Sequence, residues 1–273
     1  MNLGLKGKHA LITGGSSGIG LEITRVFLDE EMQVTATYNH SREELDQLAE
    51  KWADALCIVQ VDVRNEVDVE NLFLQATDSF GRVDILVTSA GVANHEGRSL
   101  QEMPLAQWEN TFAVNVTGTF LCAKYFFANL DSHRDTSASL ILIGSTAGAI
   151  GEAWYSDYSS SKAALHGLMM SLKNEIPLLA RHGRVNLINP GWTLTPMAED
   201  ALTDAMNLRR ILQTIPMRKI ASVSDVANAA LYLASDILSG HISGQTITVS
   251  GGMEGRVLFT PDEIDLSSRR GTE

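Results

Sequence analysis

A chain of 273 residues, 44% of them hydrophobic, can bury a substantial core in one large α/β domain or two small ones. A net charge of −12 leaves no basic face to displace counterions from a polyanion, which excludes nucleic acid as a partner. No apolar run approaches the roughly 20 residues that span a bilayer, and the N-terminal MNLGLKGKHALIT lacks the apolar stretch and cleavage site of a secretory leader, so the expectation is a cytoplasmic protein without a membrane partner.

From residue 8 to 250, short apolar, β-branched runs alternate with longer segments of helical period. The predicted strands are HALIT (9–13), QVTATY (33–38), LCIVQV (56–61), DILVTS (84–89), SLILIG (139–144), RVNLIN (184–189) and TITVS (246–250). Predicted helices lie near 19–30, 42–53, 66–80, 106–130, 155–181 and 224–238. Strands apolar on both faces, each followed by a helix, imply an α/β fold: a doubly wound parallel sheet of seven strands between two helical layers. No linker or repeat divides the chain, so residues 1–252 are expected to form one domain. Segment 190–222, rich in Met and Leu, follows the carboxyl end of a strand and is a lid candidate. The polar tail 253–273 is expected to be disordered or to dock on a neighbour. Cys57 and Cys122 are far apart and outside any redox or metal spacing, so they read as buried small hydrophobes, and no metal site is expected.

After the first strand comes Thr13-Gly14-Gly15-Ser16-Ser17-Gly18-Ile19-Gly20, followed by a helix. Gly14 can turn with positive φ, Gly18 lets the backbone approach a pyrophosphate, and Gly20 lets helix and strand pack closely. The helix N-terminus then offers free N–H groups to phosphates. Further on, Tyr158 and Lys162 are spaced i, i+4 and share one helix face, whereas Tyr155 stands roughly 10 Å from the lysine along the axis. A lysine cation one turn away favours the phenolate, and a phenol whose pKa is drawn down from about 10 is a usable acid and base. Taken alone, such a pair is more often a solvated helix flank; on the reactive reading Tyr158 is the acid/base and Tyr155 a wall of the substrate pocket.

The spacing Gly-x-x-x-Gly-x-Gly resembles that of the short-chain dehydrogenase/reductase family, in its smaller single-domain branch. The resemblance covers residues 7–252 and rests on TGGSSGIG at 13–20, Asp62-Val63, Ala90-Gly91, Asn115, Ser145, Tyr158-x-x-x-Lys162 and VNLINPGWTLT at 185–195, in the family's order. It implies a Rossmann fold and a nicotinamide cofactor bordered by Gly14, Ser16, Ser17, Gly18, Ile19, Gly20, Asp62, Val63, Ala90, Gly91, Tyr158, Lys162, Pro190, Gly191, Thr193 and Thr195. It implies that Ser145 holds the substrate oxygen, that Asn115 anchors a water leading to the lysine, and that Thr195 contacts the nicotinamide carboxamide. It also implies a homodimer or homotetramer, for which the apolar faces of helices 106–130 and 155–181 offer surface. Two positions depart from the family's pattern: Thr88-Ser89 stands where two asparagines are usual, and Ser250 replaces an aspartate before Gly251-Gly252.

NAD-preferring members carry an acid at the end of the second strand, where this chain has the uncharged Tyr38. Behind it Asn39, His40, Ser41 and Arg42 offer amide, hydroxyl and guanidinium donors that suit a 2′-phosphate, so NADP is expected, with NAD as the alternative. Ser41 with Glu44 also fits a capping box for the following helix. The expected function is hydride transfer between NADP(H) and a small-molecule carbonyl or secondary alcohol, catalysed by Tyr158, Lys162, Ser145 and Asn115. The alternative is a non-catalytic nucleotide-binding regulator or scaffold of the same fold, against which stand intact Ser, Tyr and Lys positions. Sugar-nucleotide epimerases, which share Tyr-x-x-x-Lys, would need a larger C-terminal domain. Trp192, Leu194, Met197, Met206, Leu208, Ile211 and Leu212 would line the cleft or pack the lid, and His95, Glu96 and Arg98 are polar candidates beside it.

Overall fold

The computed structural model describes residues 2–94, 96–133 and 137–266. Seven strands, β1 (His9–Thr13), β2 (Gln33–Tyr38), β3 (Leu56–Gln60), β4 (Ile85–Thr88), β5 (Ser137–Ile143), β6 (His182–Pro190) and β7 (Thr246–Val249), form one sheet in the order β3-β2-β1-β4-β5-β6-β7. Every pairing is parallel. Each strand presents alternate residues to opposite faces, and in the inner strands both faces are buried, so they read as continuous apolar runs, while the edge strand β7 is partly exposed. On one face Leu11, Leu86, Leu140, Leu142 and Leu187 pack against Leu72, Phe126, Leu165 and Met169 of α3 (Glu66–Phe80), α5 (Thr119–Ser132) and α7 (Ser156–Glu175). On the other, Ala10, Ile12, Val34, Val87, Ile141 and Ile188 meet Ile23 and Phe27 of α1 (Gly18–Asp29) and Val226 and Ala230 of α10 (Val223–Ala234). The remaining helices are α2 (Glu43–Trp52), α4 (Leu105–Phe112), α6 (Thr146–Ile150), α8 (Glu199–Thr203), α9 (Ala205–Leu212) and α11 (Asp236–Ser239).

The chain leaves β1 on one side of the sheet and β4 on the other, and at this reversal the carboxyl ends open a crevice. Register aligns Thr13 with Thr88 and Ile143 with Ile188, so the loops after β1, β4, β5 and β6 meet at one edge.

Three elements differ from the sequence expectation. The helix expected at 106–130 is interrupted by a π-helical turn, Ala113–Gly118, between α4 and α5. Asn115 within it reaches out to the chain after β4, and Gly118 sits against Val63, where a Cβ would be 2.7 Å from Val63 Cγ2. The 155–181 helix stops at Glu175, because Pro177 lacks the N–H to continue it. Tail residues 253–266 pack on this chain: Phe259, Ile264 and Leu266 lie against Leu202, Leu208, Ile211 and Leu212 of segment 190–222. The Gln213 amide donates to Phe259 O at 2.7 Å, and Arg209 donates to Pro261 O at 3.1 Å. The rest of the tail lies outside the described residues.

Candidate active site

The loop after β1 is built as its glycines require. Gly14 and Gly18 adopt φ of +64° and +51°. A Cβ on Gly14 would lie 2.8 Å from Ala90 Cα, and one on Gly20 2.1 Å from Gly14 O, so the loop closes only without side chains there. Thr37 of β2 fixes the loop from below: its hydroxyl accepts from Gly14 N–H at 3.2 Å and its carbonyl from Gly15 N–H at 2.8 Å. At the start of α1 the N-cap Ser17 makes no side-chain capping bond, and no acid stands in the first turn. The first N–H groups of α1 are thus left to an outside acceptor, and this cradle fits the pyrophosphate of a dinucleotide.

The end of β2 is less open than expected. Arg42 lies over the Tyr38 ring at 5.7 Å, but its guanidinium forms an ion pair with Asp46, Nη2 to Oδ1 at 2.6 Å, one turn along α2. The predicted capping box of Ser41 and Glu44 does not form: α2 begins at Glu43 with Arg42 as N-cap, one residue too late, and the Ser41 hydroxyl donates to Glu43 instead. Asn39 O accepts from Gln60 Nε2 at 3.0 Å. Asp62 is held by Arg64, whose guanidinium keeps its carboxyl below the usual range.

Ser145 ends the turn after β5. Its hydroxyl caps α6 by accepting from Ala147 N–H at 3.1 Å, and its own N–H donates to Asn189 Oδ1 at 3.1 Å. Tyr158, in the first turn of α7, lines the same cleft as Ser145. Lys162, one turn on, is 6% exposed; its Nζ donates to Ile143 O at 3.0 Å and stands 5.8 Å from the Tyr158 ring centre. Burial lowers the lysine pKa to about 8. The expectation that Lys162 draws the phenol toward neutrality is not met by the chain's own groups: burial raises the Tyr158 phenol, and only the Ser145 hydrogen bond opposes it. The physical reason is that burial of the phenol itself outweighs the other effects on it, while the Lys162 ammonium is hydrogen-bonded to the Ile143 carbonyl.

Asn115, fully buried, accepts from Val92 N–H at 2.8 Å and donates to Val92 O at 2.9 Å and Ser161 Oγ at 3.0 Å. It therefore ties the chain after β4 to α7. A Cβ on Gly91 would lie 3.2 Å from Lys162 Nζ and 3.3 Å from Asn115 Oδ1, which requires the smallest residue there.

A cleft of about 320 Å³ joins these parts. Of the predicted residues, Gly14, Ser17, Gly18, Ile19, Ala90, Gly91, Ser145, Tyr158, Lys162, Pro190, Gly191, Thr193 and Thr195 line it; Ser16, Gly20, Tyr38, Asn39, His40, Ser41, Arg42, Asp62, Val63 and Asn115 do not. Segment 190–222 contributes Trp192 and Met197, while Leu208, Ile211 and Leu212 turn into their own small core and Leu194 and Met206 are exposed. Tyr155 lines the cleft as a wall. Glu96 and Arg98 do not, and His95 lies outside the described residues. Sequence reasoning missed Asn94, Glu152 and Asp157. The buried Asp157 accepts from Asn94 Nδ2 at 3.0 Å, Gln107 Nε2 at 3.2 Å and Thr111 Oγ1 at 2.9 Å, tying the chain after β4 and helix α4 to the start of α7 beside Tyr158. An acid adjacent to Tyr158 was the available signal. Among the described residues no cluster of His, Cys, Asp and Glu is placed to hold a metal ion, and no helix is long and apolar enough to cross a membrane.

A parallel sheet with a glycine cradle at its switch point, and a serine, tyrosine and buried lysine in the same cleft, defines a dinucleotide-dependent oxidoreductase. Comparison with known proteins agrees. Residues 14–254 match the family model described as enoyl-(acyl carrier protein) reductase. The chain is 32% identical over 250 residues to the 3-oxoacyl-[acyl-carrier-protein] reductase FabG of Staphylococcus aureus, covering 90% of this chain and 98% of the relative. It is 32% identical over 253 residues to the 3-oxoacyl-[acyl-carrier-protein] reductase of a Synechocystis species, covering 91% and 98%. An uncharacterized oxidoreductase of Thermotoga maritima is 32% identical over 260 residues, covering 93% and 99%. The chain belongs to the short-chain dehydrogenase/reductase family and is an NAD(P)-dependent oxidoreductase.

Proposed function

We propose that this protein transfers a hydride between NADP(H) and a carbonyl or secondary alcohol substrate, with Tyr158 as general acid and base. The observation that carries this reading is the convergence of Ser145, Tyr158 and the buried Lys162 on one cleft with the glycine cradle. A bound nicotinamide supplies or takes up the hydride; the residues of the chain handle the substrate oxygen and the proton. A carbonyl oxygen received between Ser145 and Tyr158 accepts two hydrogen bonds, and as negative charge develops on it Tyr158 transfers its proton. Burial keeps the phenol protonated at neutral pH, the state reduction needs before the transfer. The Lys162 cation then stabilises the phenolate left behind. Asn115 keeps the chain after β4 in register with α7, so that Lys162 and Tyr158 stay on the cleft wall.

NADP is favoured over NAD because Tyr38 stands where a carboxylate would repel a 2′-phosphate, with the Arg42 guanidinium beside its ring. The remaining donors of Arg42 are free to turn to a phosphate, since its partner Asp46 is half exposed. The named relatives make a 3-oxoacyl thioester the first carbonyl to test. We further propose that residues 1–252 act as one domain with 190–222 as its lid, that the protein works in the cytoplasm, and that it assembles as a homodimer or homotetramer through the helical faces of α5 and α7.

The test is a panel of ketones with NADPH and NADH side by side, followed by nicotinamide absorbance. Tyr158→Phe should lower kcat/KM by roughly 10²–10⁴ while leaving cofactor affinity intact, the usual contribution of a positioned acid. Undiminished turnover in that variant refutes the assignment.

A further inference from the structure

Building on the proposed hydride transfer, we propose that Glu152 determines which substrates are accepted: its carboxylate is the anchor for a hydroxyl or ammonium donor on the substrate. The cleft then selects neutral or cationic ketones, such as hydroxy ketones and amino ketones, over anionic ones.

Glu152 follows Gly151, whose φ of +80° turns the chain sharply out of α6 and back along the cleft. It lines the cleft together with Tyr155 and Tyr158. Its backbone is pinned on both sides: the N–H donates to Ser159 Oγ at 3.1 Å, one residue beyond Tyr158, and the carbonyl accepts from Tyr155 N–H at 3.3 Å. The backbone of Glu152 is therefore tied to the turn that carries Tyr158, and the residue lines the same cleft as that acid.

No hydrogen bond or ion pair reaches this carboxylate from any described residue. Burial holds the Glu152 carboxyl above the usual range although the residue stays partly exposed, and Tyr155 lines the cleft beside it. A carboxylate without a donor gains from a donor brought by a ligand.

The charges around it point the same way. Among the described lining residues Lys162 is the single Lys or Arg, and it is buried at the back of the cleft. Among the described lining residues, an anionic substrate group near Glu152 meets its like charge, whereas a hydroxyl or ammonium finds an acceptor.

The experiment uses three ketones of similar size bearing a hydroxyl, an ammonium or a carboxylate group, assayed with wild type, Glu152→Gln and Glu152→Lys. Wild type should prefer the hydroxyl and ammonium ketones to the carboxylate ketone by about tenfold or more in kcat/KM, the scale of one like-charge contact in a partly desolvated site. Glu152→Gln should shrink the preference for ammonium over carboxylate, and Glu152→Lys should invert it, with cofactor affinity unchanged in both. The same ratio in all three proteins, or a wild-type preference for the carboxylate ketone, overturns the inference and leaves hydride transfer standing. A wild type that binds cofactor but turns over no ketone, and is indistinguishable from Tyr158→Phe, overturns hydride transfer and the inference with it.

Discussion

Replacing Lys162 by Met should make the ligand-free protein more stable at neutral pH while abolishing its turnover. The lysine is buried, and its pKa falls from an ordinary 10.5 to about 8. The unfolded chain binds a proton at Lys162 more tightly than the folded one, so the charge opposes folding in full below about pH 8 and progressively less up to 10.5. That shift corresponds to roughly 3 kcal/mol. Met has similar length without the charge, but it forfeits the bond to Ile143 O, worth about 1 kcal/mol. The net gain at pH 7 is then about 2 kcal/mol, or a rise in Tm of roughly 4–8 °C for a chain of this size. Urea unfolding of both proteins at pH 7 and pH 10, without cofactor, measures it: the advantage of Lys162→Met should shrink strongly between the two. A variant less stable than wild type at pH 7, or an advantage that does not change with pH, refutes the reasoning.

Gly20→Ala places a methyl where Gly14 O stands 2.1 Å away, so it should open the glycine loop and abolish cofactor binding in a fluorescence titration, with a stability loss of roughly 1–3 kcal/mol. Ser145→Ala removes a substrate hydrogen bond and the α6 cap together; kcat should fall roughly 10²–10³-fold and stability by about 1 kcal/mol, read by steady-state kinetics and denaturation. Arg42→Ala should weaken NADPH by roughly ten- to a hundredfold and leave NADH unchanged, as expected for one charge-assisted phosphate contact, in paired binding measurements. Truncation after Gly252 exposes the apolar side of α9, so hydrogen exchange across 199–215 should accelerate and substrate KM should rise more than kcat falls.

The sheet was legible because a strand buried on both faces must be apolar throughout, whatever its neighbours are. QVTATY and HALIT mark β2 and β1 to the residue. The glycine cradle and the Tyr158–Lys162 pair were legible for a related reason: each lies within one loop or one helical turn, where sequence spacing is already spatial geometry. The π turn at Ala113–Gly118 was not, since periodicity averages over a single widened turn, and its cause, the grip of Asn115 on Val92, joins positions 23 residues apart. The Ser41 cap failed by one residue, a margin set by where α2 docks rather than by its own composition.

The electrostatics of the site depended on tertiary structure throughout. An i, i+4 spacing promised a lysine that acidifies a phenol, but the sequence carries no measure of desolvation, and it is burial that leaves Tyr158 raised and Lys162 lowered. The sequence by itself determined the order of strands and helices, the glycine cradle and the Tyr158–Lys162 pair, because those follow from local pattern. Only the folded chain decided that the tail packs on segment 190–222, that Asp157 ties α4 and the chain after β4 to α7, and that Glu152 lines the cleft with no partner among the described residues, because contact and burial arise between segments far apart in sequence.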